Sequence, residues 1–352
     1  STITLTGKAT GTSIKSVVPT PNAVTVRQRH SFVQLPDDQY TPRVFDPRAG
    51  FNRVTFMDFA APIADPINKR YITRHRLIKK DPSSTLSEAV EPIVYYLDRG
   101  TPEPVKSALL DGGNWWSQAF EAAGFKNAFR VEIAPPGMDF LDVRYNVIQW
   151  VHRSTRGWSY GASVRDPRTG EILKGHVSLG SLRVRQDYLI AQGLLQPFED
   201  GKPTDKRMLE LAVARLKQLS AHEIGHTIGL AHNFAASSVG RASVMDYPYP
   251  LIKQDIEGNL DLNSAYDNKI GVWDKWAITY GYGYPPEGVD ETSYLTKALQ
   301  DTYHAGYEFI TDTDARDSSG VHPRSYLWDN GGSAAGELKR MLALRETRMA
   351  SF

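Results

Sequence analysis

The chain predicts an α/β (α+β) fold, and three observations carry that reading. Between residues 89 and 180 the apolar residues switch between strand period and helix period. The segment Asp166-Pro167-Arg168-Thr169-Gly170 separates two runs of strand character, which is a hairpin signature. A long helical pattern then runs from about Asp205 into a group of histidines.

Taken in order, residues 1–88 read as a β-rich, irregular N-terminal portion. Ile3 and Leu5, then Val24 and Val26, alternate with polar neighbours. Turn signals recur at Pro19-Thr20-Pro21-Asn22 and Asp46-Pro47-Arg48-Ala49-Gly50, and Asp81-Pro82-Ser83-Ser84 marks a boundary. Ile93 to Leu97 is a strand. Val105 to Ala123 is one helix whose apolar face holds Leu109, Leu110, Trp115, Trp116 and Phe120. Ala128 to Ile133 and Tyr145 to Val151 are strands, and the hairpin joins Trp158–Val164 to Ile172–Leu179. Pro203 and the N-cap Thr204 open the long helix, in which Leu209, Ala212, Leu216 and Leu219 recur at helical spacing. Residues 251–270 read as a loop, Ile270 to Tyr280 as a helix, and 287–352 as a helical or mixed extension. The expected divisions are 1–88, 89–286 and 287–352.

The 352 residues suffice for a sizeable core, and 41 basic against 40 acidic residues leave a net charge of +1. That balance argues against nucleic acid or an anionic membrane as partner. No apolar run approaches the ~20 residues of a membrane-spanning helix. The absence of Cys excludes disulfides and thiolate metal ligands. The chain starts at Ser1 without a basic-then-apolar leader, so a signal peptide, had there been one, is expected to be already gone. Oligomeric state has no signature here.

The chemistry lies in His222-Glu223-Ile224-Gly225-His226-Thr227-Ile228-Gly229-Leu230-Ala231-His232, an H-E-x-x-H-x-x-G-x-x-H pattern with every fixed position filled. With 9 His and 28 Gly in the chain, a chance match has a probability on the order of 10⁻⁵. Helical residues four apart share a face, so His222 and His226 can turn their imidazoles to one ion. Gly229 can take positive φ and reverse the chain, bringing His232 back as a third ligand. Three His and an open fourth position describe a catalytic rather than a structural Zn²⁺ site, with one ion. Glu223 is placed to act as general base on the water, passing its proton to the leaving amine.

Beyond His232 comes Ser243-Val244-Met245-Asp246-Tyr247-Pro248. With this stretch the chain resembles the metzincins, the zinc-peptidase clan that joins the extended His motif to a Met-turn. Pro92–Tyr96, Ala122–Ala128, Arg144–Trp150, Gly180–Val184 and Trp328-Asp329-Asn330-Gly331 further resemble a bacterial family of exported, zinc-dependent metzincin-like metalloproteases. The resemblance covers roughly residues 40–352. Asn233, after the third histidine, departs from the best-known metzincin subfamilies. Members of the exported family are usually longer, so a fragment or trimmed chain is expected.

The resemblance implies a mixed twisted sheet with an antiparallel edge strand, an active-site helix and a Met-turn. It implies Met245 as an apolar floor beneath the ligands, and Tyr247 as a fifth ligand or a donor to the oxyanion. It places the strand Trp158–Val164, with Trp158, Tyr160, Gly161, Ala162 and Ser163, beside the cleft as the edge that holds an extended protein or peptide substrate. It gives residues 251–270 as a wall of the pocket for the residue after the cut, and an extracytoplasmic location. The activity implied is a secreted zinc metalloendopeptidase, a hydrolase. The rivals are a catalytically silent zinc-bearing binding module, a latent protease plugged by residues 1–88 or by the C-terminal extension, and a hydrolase of non-peptide amides. The acidic run Asp312-Thr313-Asp314-Ala315-Arg316-Asp317 invites Ca²⁺, but it lacks the Gly and terminal Glu of a calcium loop and reads as a solvated turn. His30, His75, His152, His176, His304 and His322 are scattered and read as structural.

Overall fold

One mixed sheet carries the site in this computed structural model, which describes residues 1–7, 13–16, 18–153, 158–194, 198–199, 202–203, 207–315, 317–318 and 322–349. The N-terminal region is β-rich, as expected. β1 (Thr2–Thr6) pairs antiparallel with β2 (Ala23–Arg27), and β3 (Arg53–Met57) with β4 (Asn68–Ile72). The short β5 (Arg74–His75) adds to the main sheet, and β6 (Ser87–Glu88) pairs with a later strand.

The main sheet contains β7 (Ile93–Leu97), then, after α1 (Val105–Asn114), α2 (Trp116–Ala122) and β8 (Phe125–Lys126), the strands β9 (Phe129–Ile133), β10 (Asn146–Val151), β11 (Tyr160–Arg165) and β12 (Glu171–Gly180). The strand order is β11-β12-β10-β7-β9, with β5 also pairing β12. The pairs β12–β10, β10–β7 and β7–β9 are parallel, and β11 alone runs antiparallel, at the edge. The hairpin turn at 166–170 thus places β11 where the sequence expected it. The strand begins at Tyr160 rather than Trp158, because the Trp158 carbonyl accepts from the Arg153 guanidinium (3.0 Å).

The expected single helix over 105–123 is two. Asn114 directs its side chain to β9, donating to Val131 O (3.2 Å) and accepting from Val131 N (2.9 Å), and the chain turns at Trp115. A helix with no clear sequence signal follows the sheet, α3 (Leu182–Leu194). It buries Asp187 and exposes Leu182 and Leu189, which scrambles its apolar stripe. A short hairpin of β13 (Phe198–Glu199) and β14 (Lys202–Pro203) precedes α4 (Arg207–Thr227). The expected N-cap Thr204 and start at Asp205 lie outside the described residues. Residues 251–270 are not all loop: β15 (Lys253–Gln254) and β16 (Leu260–Asp261) form a small hairpin. Then come α5 (Val272–Tyr282), α6 (Glu291–His304), the single turn α7 (Asp312–Ala315) and α8 (Ala334–Met349). Among the described residues no helix is long and apolar enough to cross a membrane.

The main core lies between the sheet and α4. Leu216, Leu219, Ala221 and Ile224 of α4 join Tyr95, Leu97, Trp116, Phe120, Ile148 and Leu179, and the cluster extends to Phe51 and Ile72 before the sheet and to Leu295 and Leu299 of α6. A second cluster joins α3, the start of α4, the 253–261 hairpin and α8 through Leu194, Met208, Leu211, Ile252 and Leu344. The last carbonyls of a helix lack intrahelical donors. Here Tyr95 Oη (3.2 Å) and His75 Nε2 (3.1 Å) both donate to Thr227 O, and Tyr282 Oη donates to Ile228 O (2.8 Å). Burial pushes the His75 imidazole down to about 4, so it is neutral and free to act in this way.

Trp116 is fully buried, and its Nε1 donates to Ala221 O (2.8 Å), immediately before His222. Trp116→Ala should lose about 3–5 kcal/mol of stability in a urea titration, while Trp116→Phe, which keeps most of the volume, should lose clearly less. Equal losses would show that the ring is not what ties α2 to α4.

Candidate metal centre and active-site cleft

His222 and His226 stand one turn apart on α4, which ends at Thr227. Gly229 then takes φ +114°, and a Cβ there would lie 2.0 Å from Thr73 O. The chain reverses on Leu230 N→Gly225 O (2.9 Å) and is held by the N-terminal portion: Asn52 N→Gly229 O (2.8 Å) and Ala231 N→Gly50 O (2.9 Å). This reversal returns His232 to the other two imidazoles.

Each of the three rings has an acceptor at Nδ1. His222 Nδ1 faces Val244 O at 2.8 Å, His226 Nδ1 faces Leu230 O at 2.9 Å, and His232 Nδ1 faces Asp312 Oδ2 at 2.6 Å. Backbone carbonyls and a carboxylate accept, so each Nδ1 carries the proton and each Nε2 presents a lone pair. Burial lowers the proton affinity of His222 and His226, to about 4 for the latter, which keeps them neutral.

The ligand atoms of the three rings lie within 4.8 Å of one another, and His226 Nε2 and His232 Nε2 are 3.1 Å apart. Two nitrogens at about 2.05 Å from one tetrahedral ion would be separated by about 3.3 Å. Lone pairs facing at that distance repel unless a cation lies between them. The donor set therefore fits Zn²⁺.

Glu223 is buried beside His222, and burial raises its carboxyl to about 8, against the pull of the Arg215 charge, the Gly161 N–H and the more distant Arg183. Gly161 is where β11 comes closest to α4: a Cβ there would lie 2.2 Å from Glu223 O and 3.0 Å from His226 Cβ. Any side chain would lift the edge strand off the motif helix.

Met245 is fully buried, with Sδ where a Cβ on Gly225 would meet it at 2.2 Å. Its loop is fixed by the buried Asp274, which accepts from Ser243 Oγ (2.5 Å), Val244 N (2.8 Å) and Gly271 N (2.9 Å). Ser243 Oγ in turn accepts from Met245 N (2.9 Å). The Tyr247 ring meets His232 edge-on at 4.5 Å between centroids and stacks on Trp328 at 5.0 Å.

Two residues had more to say than the sequence reading allowed. Asn233, which departs from the familiar metzincin pattern, is buried and acts as a clamp. Its Oδ1 accepts from Ala235 N and Ile310 N (3.2 Å each), its Nδ2 donates to Glu308 O (3.0 Å), and its backbone N donates to Met245 O (3.1 Å). It thereby joins the third-histidine loop to the Met245 loop and to the segment that carries Asp312. The acidic run beginning at Asp312 is accordingly not a free solvated turn, because Asp312 orients His232. The signal was a carboxylate far off in sequence, and distance hid it.

Three cavities border the triad; one of about 710 Å³ lies against His226, His232 and Asp312 and is walled in part by Phe45, Phe51 and Asn52, and the other two adjoin Glu223. One of about 530 Å³ runs along the open edge of β11, with Trp158, Tyr160, Gly161, Ala162 and Ser163 in its wall together with Glu223 and the three histidines. The other, of about 440 Å³, is lined by Trp158, Ser159, Gly180, Arg183, Arg215, Glu223, Tyr247 and Trp328 among others. None of residues 251–270 lines either cavity; the C-terminal Trp328 stands where that loop was expected, with Trp328 N donating to Tyr247 O (3.0 Å). Of the described residues of 1–88, Asn52 alone lines either of the two cavities that adjoin Glu223. His30, His75, His152, His176 and His322 bond elsewhere, as His176 does with Gln149 Oε1 (2.7 Å) and His152 with Ser181 Oγ (2.9 Å).

Comparison with known proteins fits this site. Residues 204–352 match a family described as Met-zincin, and residues 1–80 match a family described as a domain of unknown function. The metzincin resemblance holds over 204–352, which contains the histidines, Met245, Tyr247 and Asp312. Two solved structures of myroilysin are distantly similar. One, at 11% identity, covers 60% of this chain and 100% of its own, with a TM-score of 0.27. The other, at 14% identity, covers 84% of this chain and 99% of its own, with a TM-score of 0.22. No curated protein matches the chain.

An acceptor on the far nitrogen of a ligating histidine typically contributes 10- to 100-fold to metal affinity. Asp312→Ala should therefore weaken zinc binding by about that factor in a chelator competition, with the fold retained. Unchanged affinity would remove Asp312 from the centre.

Proposed function

We propose, from the Met-zincin match of residues 204–352 and the convergence of three Nε2 lone pairs, that the chain is a zinc-dependent endopeptidase. The three-imidazole centre, with Glu223 buried beside it and an open strand edge above it, is the observation that carries this reading. His222, His226 and His232 would hold the ion, which when bound supplies a Lewis acid for the scissile carbonyl and acidifies a water.

The chain's own residues do the rest. A peptide in extended form adds to the free edge of β11, where Tyr160 to Arg165 present backbone groups to the cleft. Glu223 takes a proton from the attacking water at a carboxylate oxygen. The water oxygen bonds to the carbonyl carbon, the C–N bond breaks, and the same proton passes to the leaving nitrogen. The elevated proton affinity of Glu223 suits an acceptor that must take up and release a proton near neutral pH. The Tyr247 hydroxyl serves as donor to the oxyanion, and Met245 forms the apolar floor under the ligands. The site then draws on all three stretches, 1–88, 89–286 and 287–352. The resemblance also carries a location outside the cytoplasm.

Glu223→Ala should retain about one zinc per chain, as a single three-His site requires, and lose nearly all cleavage of an unstructured protein such as casein. His226→Ala should lose both zinc and cleavage. Turnover by the Glu223 variant at the level of the unaltered chain would sink the assigned role.

A further inference from the structure

The 440 Å³ cavity next to Glu223 is walled by two guanidinium groups. Arg215, Leu219, His222 and Glu223 recur at i, i+4, i+7 and i+8 on α4, so Arg215 lies on the same helix face as the first histidine, two turns earlier. Arg183 comes from α3 and lies 6.0 Å from the Trp328 ring centroid.

The two cations are unequally matched. Arg183 is paired with the fully buried Asp187, through Nη2–Oδ1 at 2.7 Å and Nε–Oδ2 at 3.0 Å. Arg215 is itself only 3% exposed, donates through Nη1 to the uncharged Gln218 Oε1, and has no hydrogen-bond partner for its Nε. Its ring neighbour is Tyr266, at 5.8 Å. Among the described residues Glu223 is the one acid in the cavity wall, and the proposed reaction needs it for proton transfer. Asp187 and Glu223 act on Arg215 through space, but no carboxylate is hydrogen-bonded to it among the described residues, so a buried guanidinium keeps an unused Nε donor for the carboxylate of a ligand.

The direction of β11 fixes which part of a substrate reaches this cavity. The strand runs from Tyr160 to Arg165, and the cavity lies at its beginning, by Trp158 and Ser159. Antiparallel pairing is the more stable mode. A peptide added that way runs from the Arg165 end toward Trp158. The residue on the C-terminal side of the cut bond then enters the cavity.

We propose that this cavity is a carboxylate site, selecting substrates with an acidic group directly after the scissile bond, read by Arg215 with Arg183 beside it. This rests on the peptidase reading and names its substrate class. The carboxylate comes from one of two sources, an Asp or Glu side chain within a longer chain or a free chain terminus. Charge-assisted hydrogen bonds in a desolvated site correspond to about tenfold or more in selectivity.

The test is cleavage of matched peptides by the zinc-loaded chain, with Glu, Gln or Leu after the scissile position, each with a free and an amidated C-terminus. A kcat/KM at least about tenfold higher for Glu than for Gln in amidated peptides assigns the side-chain source. A preference confined to free termini assigns the chain end. Cleavage indifferent to both, or favouring Leu, overturns the carboxylate site and leaves the peptidase standing. Absence of cleavage with every peptide overturns both. Arg215→Met should abolish the Glu-over-Gln ratio and Arg215→Lys should keep most of it, a ratio that simple loss of stability does not change. If Arg215→Met does not fold, the peptide comparison on the unaltered chain decides.

Discussion

Everything in this site depends on bringing three imidazole lone pairs to one point, an arrangement that repels itself until a cation is present. The protein holds it by giving each ring an acceptor for its Nδ1 proton. The three acceptors come from three different places: the loop before Met245, the reversal after α4, and the turn α7 in the C-terminal extension. A histidine motif of eleven residues thus recruits chain up to eighty residues away. His232 differs from the other two histidines in that its Nδ1 partner is a carboxylate, Asp312, rather than a backbone carbonyl.

The N-terminal portion is equally bound to the centre. Gly50 and Asn52 pair with the reversal at Gly229 to Ala231, and His75, with Tyr95 and Tyr282, satisfies the carbonyls that end α4. Without those donors the last turn of α4 would leave buried carbonyls unpaired just where His226 must be held still. The β-rich stretch therefore works as a brace for the reversal, and it leaves the cleft along β11 open.

Much of this was legible in the sequence. The strand 93–97 is a continuous apolar run, as a buried parallel strand requires, and in 129–133 Phe129, Val131 and Ile133 alternate with charged residues. The His motif declared its helix and its turn, since Gly229 is needed at a φ that other residues resist. What escaped were features decided by distant partners. Helix α3 hides behind a buried Asp187, whose burial makes sense once Arg183 is seen beside it. The break at Trp115 follows from Asn114 reaching across to β9. Asn233 and Asp312 look like ordinary loop residues until the fold brings residues 308–312 against the third histidine.

The same logic explains why the C-terminal extension, and not the loop at 251–270, closes one end of the cleft. Trp328 adopts φ +61°, a conformation that a bulky residue does not choose unaided. It is held there by Trp328 N→Tyr247 O, by a bridge from Asp329 to Pro248, and by Asn330, whose Oδ1 accepts from Arg241 Nη2 (2.7 Å) and whose Nδ2 donates to Tyr249 O (3.1 Å). The strap is thus fastened by Trp328, Asp329 and Asn330 to Tyr247, Pro248 and Tyr249. The Trp328 indole stacks on Tyr247 and faces Arg183, so a single strained residue links the ring beside His232 to a cation of the adjoining cavity. Strain of that kind persists where several bonds over-determine it, and here they hold the indole between the Tyr247 ring and the Arg183 guanidinium.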